Sequence, residues 1–445
     1  MDILVYLLFF VLVFIVLYQD TEERFIALFL GTILFPACVA IIKSPYFSPQ
    51  NALLYGFFAV EIVKNYSKFK EDFLKFPLKI PLLIIAFSYL GTSFFNGGLG
   101  PKALYNIGRQ IFENYAYIFA AYIVGSRVDF NSVLKKLFWP VVVYCGLGIF
   151  EGLFAVNYPY KWICSAFPVY DGYYDLASNI SVRRAWRIRT CITTKHPTAL
   201  GTLLCCLFLV YLPKLKDSQW SRWKTFGILG LLGLNLYLCG SRTALLCTGI
   251  AVAFFLIRRY HPGIKIFVVG ACCFASVLYI HQAIEHFSQE NRGSSISLRQ
   301  EQLIFSALQI AESPIFGNGL FFTSKTIFER DAYGERVEDD DIGGLESIVF
   351  FTLIDQGIVG LLAWYMFYTW VFLILFRRRN VSMDAIIGYI ITMAAVLYFT
   401  LSGNMGNNIG MAQLIIGALL GSVLKKEECL EKSKIKVIKS DSMKA

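Results

Sequence analysis

The chain has 445 residues, of which 56% are hydrophobic and only 16% charged, with a net charge of +10 and a mean hydropathy of +0.57. Soluble domains of this length carry about 25% charged residues, so a wholly soluble fold is excluded. The positive balance comes in short separated groups, so its distribution matters more than its sum, and no nucleic-acid surface is expected.

Apolar blocks fall at 3–18, 25–42, 48–63, 80–95, 111–126, 137–155, 197–213, 225–240, 243–257, 264–280, 345–376, 385–401 and 411–424. A membrane helix needs about 20 such residues, so the blocks predict an all-α, polytopic membrane protein with about 12–13 transmembrane helices. No cleavable signal is expected in the first block, because Met1-Asp2 gives no basic leader and no small-residue cleavage site follows. The block at 48–63 is short and carries Glu61. No internal repeat is evident, which removes support for an inverted-repeat transporter.

Lys64–Lys79, Lys135-Lys136, Lys214–Lys224, Arg258-Arg259, Arg377-Arg378-Arg379 and the tail Lys425–Lys444 fall on one side when the blocks alternate. The positive-inside rule makes that side cytoplasmic, C-terminus included. Residues 1–424 form one transmembrane domain, and 425–445 form a basic cytoplasmic tail, expected to be disordered and to face anionic membrane lipids. External loops 156–196 and 281–344 are the largest.

Those loops break the charge rule. Residues 181–197 read Ser-Val-Arg-Arg-Ala-Trp-Arg-Ile-Arg-Thr-Cys-Ile-Thr-Thr-Lys-His-Pro, with Arg183, Arg184, Arg187, Arg189 and Lys195 close together. Arg242 stands in Cys-Gly-Ser-Arg-Thr-Ala (239–244), and Arg299 opens an amphipathic helix whose apolar face carries Leu303, Ile304, Ala307, Leu308 and Ala311. Cations on the side where the rule disfavours them point to an anion site, and the planar fork of Arg pairs two phosphate oxygens at once. The competing reading pairs them with the acidic run Glu338–Asp341 or with lipid phosphates.

Pro314 ends that helix, and Gly317 and Gly319 form a tight turn where backbone can approach a ligand closely. Asp355, inside an apolar block, is a costly placement that would suit a cavity wall. Cys164 and Cys191 share one external loop and could pair in an oxidising compartment. No Cys/His spacing indicates a metal site, and the Asp-x-Asp within 338–341 reads as a solvated loop.

The ordered set resembles the O-antigen polymerase and O-antigen ligase family of bacterial inner-membrane glycosyltransferases. The resemblance rests on Arg189 followed by Pro197 and Leu200-Gly201, then Ser241-Arg242-Thr243-Ala244. Its third part is Arg299 leading to Ser313-Pro314-Ile315-Phe316-Gly317-Asn318-Gly319 and a helix with Gly357 and Gly360. It implies a GT-C-like fold with a cavity open to the periplasm. It also implies metal-independent, cofactor-free glycosyl transfer from an undecaprenyl-pyrophosphate-linked glycan. By family position Arg189, Arg242 and Arg299 are pyrophosphate contacts or their supports, with Arg187 beside them.

Ligases of the family commonly open the last motif with His; here it reads Leu345-Glu346-Ser347. Glu346 becomes the candidate general base for the attacking sugar hydroxyl, against a reading as a helix cap. His196 is a candidate substrate contact, against a reading as the loop residue before a helix-starting Pro. The expected function is polymerisation of lipid-linked repeats for O-antigen, capsule or exopolysaccharide. One alternative is a ligase acting on lipid A core or protein; another, of a different class, is a flippase of lipid-linked glycan. Polymerases of this kind commonly work with a separate chain-length regulator.

Overall fold

The computed structural model describes residues 1–42, 46–169, 183–184, 187–258, 295–323, 347–403 and 407–442; for 183–188, 295–302 and 434–442 only the backbone of the described residues is considered. The helices are α1 Asp2–Tyr18, α2 Thr21–Leu34, α3 Pro49–Lys64, α4 Tyr66–Lys75, α5 Lys79–Phe95, α6 Pro101–Arg127, α7 Phe130–Phe154 and α8 Tyr158–Ala166. They continue as α9 Pro197–Tyr211, α10 Arg222–Leu238, α11 Arg242–Ile257, α12 Ser295–Glu312, α13 Ile348–Arg377, α14 Met383–Ser402 and α15 Asn408–Ser442. Strands β1 (Arg183–Arg184) and β2 (Arg187–Ile188) form a small antiparallel ribbon, with Arg184 across from Arg187.

The all-α, polytopic membrane architecture is as the composition requires. Each apolar block falls on a helix, except that 25–42 is helical only to Leu34 and 264–280 lies outside the described residues. By length and hydropathy, α7, α9 with its 3-10 extension, α13, α14 and α15 can each cross a membrane alone among the described residues. The pair α4 and α5, bent by 82°, qualifies together, while α1 and α11 are shorter apolar helices. The tail does not become irregular at 424, because α15 stays helical to Ser442.

Successive helices run up and down, so their connections gather at two ends. One end collects the basic groups together with most of the described ion pairs. Glu61, buried on α3, lies between Arg24 of α2 and Arg127 of α6, the latter at 2.5 Å, and Arg127 also reaches Asp72 of α4 at 2.7 Å. Lys426 meets Asp384 at 2.6 Å, and Arg378 meets Glu427 at 2.6 Å. The Glu61 that made block 48–63 look weak as a membrane helix is thus a clamp across three helices.

The centre is held by backbone contact. A Cβ on Gly125 of α6 would lie 2.0 Å from the Ala418 carbonyl of α15, and one on Gly421 would lie 2.4 Å from the Tyr122 carbonyl. Only glycine permits that approach, which brings α6 and α15 together where lipid offers no hydrophobic drive between helices. Large rings pack around the pair, including Tyr117, Phe367 and Tyr368.

Candidate functional site

The end opposite the basic groups carries the N-terminus, residues 35–42 and 46–48, α8, the segment 189–196, the starts of α9, α11 and α13, and the turn after α12. Asp2 accepts a hydrogen bond from Ser165 at 2.8 Å, which places the chain start beside α8.

Segment 189–196 is built around a carboxylate. Glu151, 3% exposed near the end of α7, accepts the N–H of Cys191 at 3.0 Å and of Ile192 at 2.7 Å. Ile192 has φ +56°, a conformation that a β-branched residue adopts only when its surroundings force it. Asn157, the cap of α8, donates to the Ile192 carbonyl at 2.6 Å, and Thr193 donates to the Ile33 carbonyl at the end of α2 at 2.5 Å. The segment is therefore fixed from three helices. Glu151 was not singled out in the sequence, although an acidic residue within the block 137–155 is the same signal that marked Asp355.

Arg189 is 7% exposed, and its Nε donates to the Cys239 carbonyl at 3.2 Å. Its stem packs on Gly240, where an added Cβ would meet Cγ at 3.1 Å. Arg189 thus lies against the turn that leads into Arg242, so two of the expected arginines share one neighbourhood. Ser241 caps α11 by accepting the Ala244 N–H at 3.3 Å, and Arg242 is exposed at the first helical position. Helix N-termini carry partial positive charge and favour anions.

His196 caps α9: its Nδ1 accepts the Thr198 N–H at 3.2 Å and lies 2.7 Å from Thr198 Oγ1. Lys195 beside it is half-buried, and desolvation pushes its ammonium down to about 7. Arg187 lies on β2, across from Arg184.

Three helix starts meet through α14. Tyr398 donates to the Thr198 carbonyl of α9 at 2.6 Å, and its Oη lies 3.3 Å from Ser241 Oγ at the start of α11. Two residues on, the Thr400 carbonyl accepts from Ser347, the cap of α13, at 2.5 Å. Nothing in the sequence distinguished Tyr398, since a tyrosine inside an apolar helix reads as core. Glu346, the residue before Ser347, lies outside the described residues, as do Glu338–Asp341.

The Gly317 turn differs from expectation in what approaches it. Helix α13 breaks at Gly357, with φ +65°, and the segment 314–319 packs backbone to backbone on the break. A Cβ on Gly357 would lie 2.3 Å from the Ile315 carbonyl oxygen, and one on Gly317 2.3 Å from the Gln356 nitrogen. Asn318 N–H donates to Ile354 O at 2.8 Å and Gly319 N–H to Asp355 O at 3.1 Å. Ile358 N–H in turn donates to Pro314 O at 2.9 Å. The turn supplies the hydrogen bonds that the broken helix has lost, so its close approach is to the chain itself.

Asp355 Oδ1 accepts the N–H of Thr323 at 2.7 Å and also its hydroxyl. It therefore pins Thr323, the last described residue before Ser347. Phe316 stacks on Phe95 of α5 with centroids 4.2 Å apart.

Arg299 lies on α12, at the register position shared with Leu303 and Ala307, and its side chain is outside the description. The apolar face of α12 is its exposed one, with Leu303, Ile304 and Leu308 each more than half exposed, while Ser306 is buried. All the described cysteines are free, Cys164 and Cys191 among them. Cys191 is held with its N–H on Glu151, and Cys164 lies near Cys38 instead.

Residues 226–365 match the family described as O-antigen ligase. The interval takes in Arg242, Arg299, the Gly317 turn, Glu346 and the break at Gly357; Arg189 and His196 precede it. The resemblance read from the motifs is thereby shown over that interval, narrower than the span of the motifs themselves. It supports glycosyl transfer of the ligase or polymerase kind by a multi-pass membrane protein. No curated protein matches the chain.

Proposed function

We propose that this chain, with its O-antigen ligase match at residues 226–365, polymerises undecaprenyl-pyrophosphate-linked oligosaccharide repeats at the outer face of the bacterial inner membrane. The observation that carries the reading is the meeting of three motif-bearing helix starts through Tyr398 and Thr400, at the end away from the basic, ion-paired one. The basic end is then cytoplasmic, and the site faces the periplasm.

The leaving group is a lipid pyrophosphate on which negative charge grows as the glycosidic bond breaks. Preorganised cations and helix N-termini stabilise that charge directly. Arg189 is preorganised in this sense: its guanidinium is oriented by a carbonyl, which satisfies an N–H without cancelling the charge. Arg242 and Arg299 act with it, Arg187 and His196 contact the glycan or diphosphate, and Glu346 takes the proton from the attacking hydroxyl. Glu in place of the His common among the ligases favours polymerisation.

The test is purified protein in nanodiscs with a lipid-pyrophosphate-linked repeat and a chelator, products being resolved on a gel. A ladder is expected, lost in Arg299→Ala and in Glu346→Gln. One transfer to an added acceptor, without a ladder, would make the protein a ligase. Passage of substrate across a liposome with no new glycosidic bond would make it a transporter. A ladder that survives Glu346→Gln would remove the base and leave the charge argument in place.

A further inference from the structure

We propose that Cys38 and Cys164 form a disulfide on exposure to the outer compartment, and that this bridge fastens the support of segment 189–196. Cys38 lies in the irregular connection after α2, and its Sγ is 3.1 Å from the hydroxyl of Tyr160 on α8. Cys164 follows Tyr160 by one helical turn on the same face, which sets its thiol in the same neighbourhood as that of Cys38.

The two backbones are already joined beside this pair. Ala40 N–H donates to the Pro168 carbonyl at 2.8 Å, and Val39 forms an antiparallel bridge with Val169. Cys191 is the poorer partner for Cys164. Both its backbone and that of the next residue are tied to Glu151, and its thiol is directed at the Arg189 carbonyl 4.0 Å away.

Access sets the order of exchange. Cys164 is half-buried and can be reached, whereas Cys38 is fully buried. Hydrogen bonding from Cys164 and Tyr160, with Lys195 nearby, holds the Cys38 thiol down to about 7 against its burial, and the Cys164 thiol is pushed up. A disulfide oxidant, such as a periplasmic thiol oxidase or glutathione disulfide, is attacked by Cys164, and a mixed disulfide forms as one oxidant thiol leaves. The Cys38 thiolate then attacks the Cys164 sulfur and expels the second thiol. Two protein thiols are oxidised and one oxidant disulfide is reduced.

The consequence reaches the site through hydrogen bonds already described. The end of α2 receives Thr193, and the cap of α8 holds Ile192. A bridge between the connection after α2 and α8 ties together two of the three elements that carry that segment. It goes beyond the proposed reaction and depends only on which end faces outward.

Purified wild-type protein is treated with glutathione disulfide, quenched with a maleimide, digested without reduction and read by mass spectrometry. A Cys38–Cys164 linked peptide is expected, unchanged in Cys191→Ser, with the thermal unfolding midpoint falling on reduction. A Cys164–Cys191 link, or both thiols free, overturns the proposal whatever the orientation.

In intact cells an impermeant maleimide is expected to miss Cys429, exposed at the basic end, while the Cys38–Cys164 link is present. If the reagent reaches Cys429 and the link forms only after purification, the orientation is reversed and the bridge in the cell is refuted. The polymer ladder assay is independent of either result.

Discussion

The two ends of the bundle use charge in opposite ways. At the basic end, carboxylates meet cations: Glu61 with Arg24 and Arg127, Asp384 with Lys426, Glu427 with Arg378, and Glu22 and Glu23 with Lys136. At the other end, Glu151 collects backbone N–H groups, Asp355 collects Thr323, and Arg189 donates to a carbonyl. Arg109 with Glu113, at 2.9 Å, is an ion pair that breaks this pattern. Charge at the basic end holds helices together. At the other end Glu151, Asp355 and Arg189 instead engage backbone groups and a threonine hydroxyl.

The largest test of that division is Glu61→Gln. It leaves the guanidinium of Arg24 buried without its carboxylate, and breaking a buried pair costs roughly 3–5 kcal/mol. The thermal midpoint in detergent should fall steeply, while glycosyl transfer per folded molecule stays at the wild-type level. Equal loss of both would mean that the ends are not separable. Arg189→Ala should do the converse. Transfer should fall by about 10²–10³-fold, as when one oriented donor is taken from a transition state, with a smaller change in midpoint. Arg189→Lys keeps the charge but loses the fork, and should fall between.

Much of this contrast was legible in the sequence, and the limits are physical. Most of the blocks and basic groups, and the stop at Pro314, depend on residues near one another, and among the described residues the structure has them where the pattern put them, with 25–42 shortened to Leu34. Contacts between distant segments leave no local trace. Gly317 announced a close approach but not that its partner is the break at Gly357, because the partner's hydrogen bonds decide that. Tyr398 joins α9 and α11 through contacts 200 and 157 residues away in the chain. Glu151 could have been found by the cost of an acid in an apolar block, but its partners, two N–H groups of a strained turn, could not.

Gly357→Ala tests whether the break belongs to the fold or to the chemistry. An alanine there would need φ +65° and would meet the Ile315 carbonyl oxygen at 2.3 Å. Such backbone strain costs roughly 1–3 kcal/mol, and the turn at 314–319 has to shift to relieve it. Loss of midpoint with a parallel loss of transfer is expected, because the same turn precedes the loop returning to Ser347. Full transfer in a destabilised protein would detach that loop from the site.

The smallest expected effect is the sharpest comparison, because it uses the same chemical change at both ends. Tyr211 donates to the Leu134 carbonyl at 3.1 Å at the basic end, and Tyr398 donates to the Thr198 carbonyl at 2.6 Å at the other. Both rings are almost fully buried. Removing either hydroxyl leaves a buried carbonyl short of a donor, at a cost of about 1 kcal/mol. Tyr211→Phe and Tyr398→Phe should therefore lower the midpoint by similar amounts. Only Tyr398→Phe should also slow transfer, by a few-fold in kcat, because its hydroxyl ties the starts of α9 and α11 together. If the two variants transfer glycan equally well, the junction at Tyr398 supports only the fold, and the site has to be sought away from it.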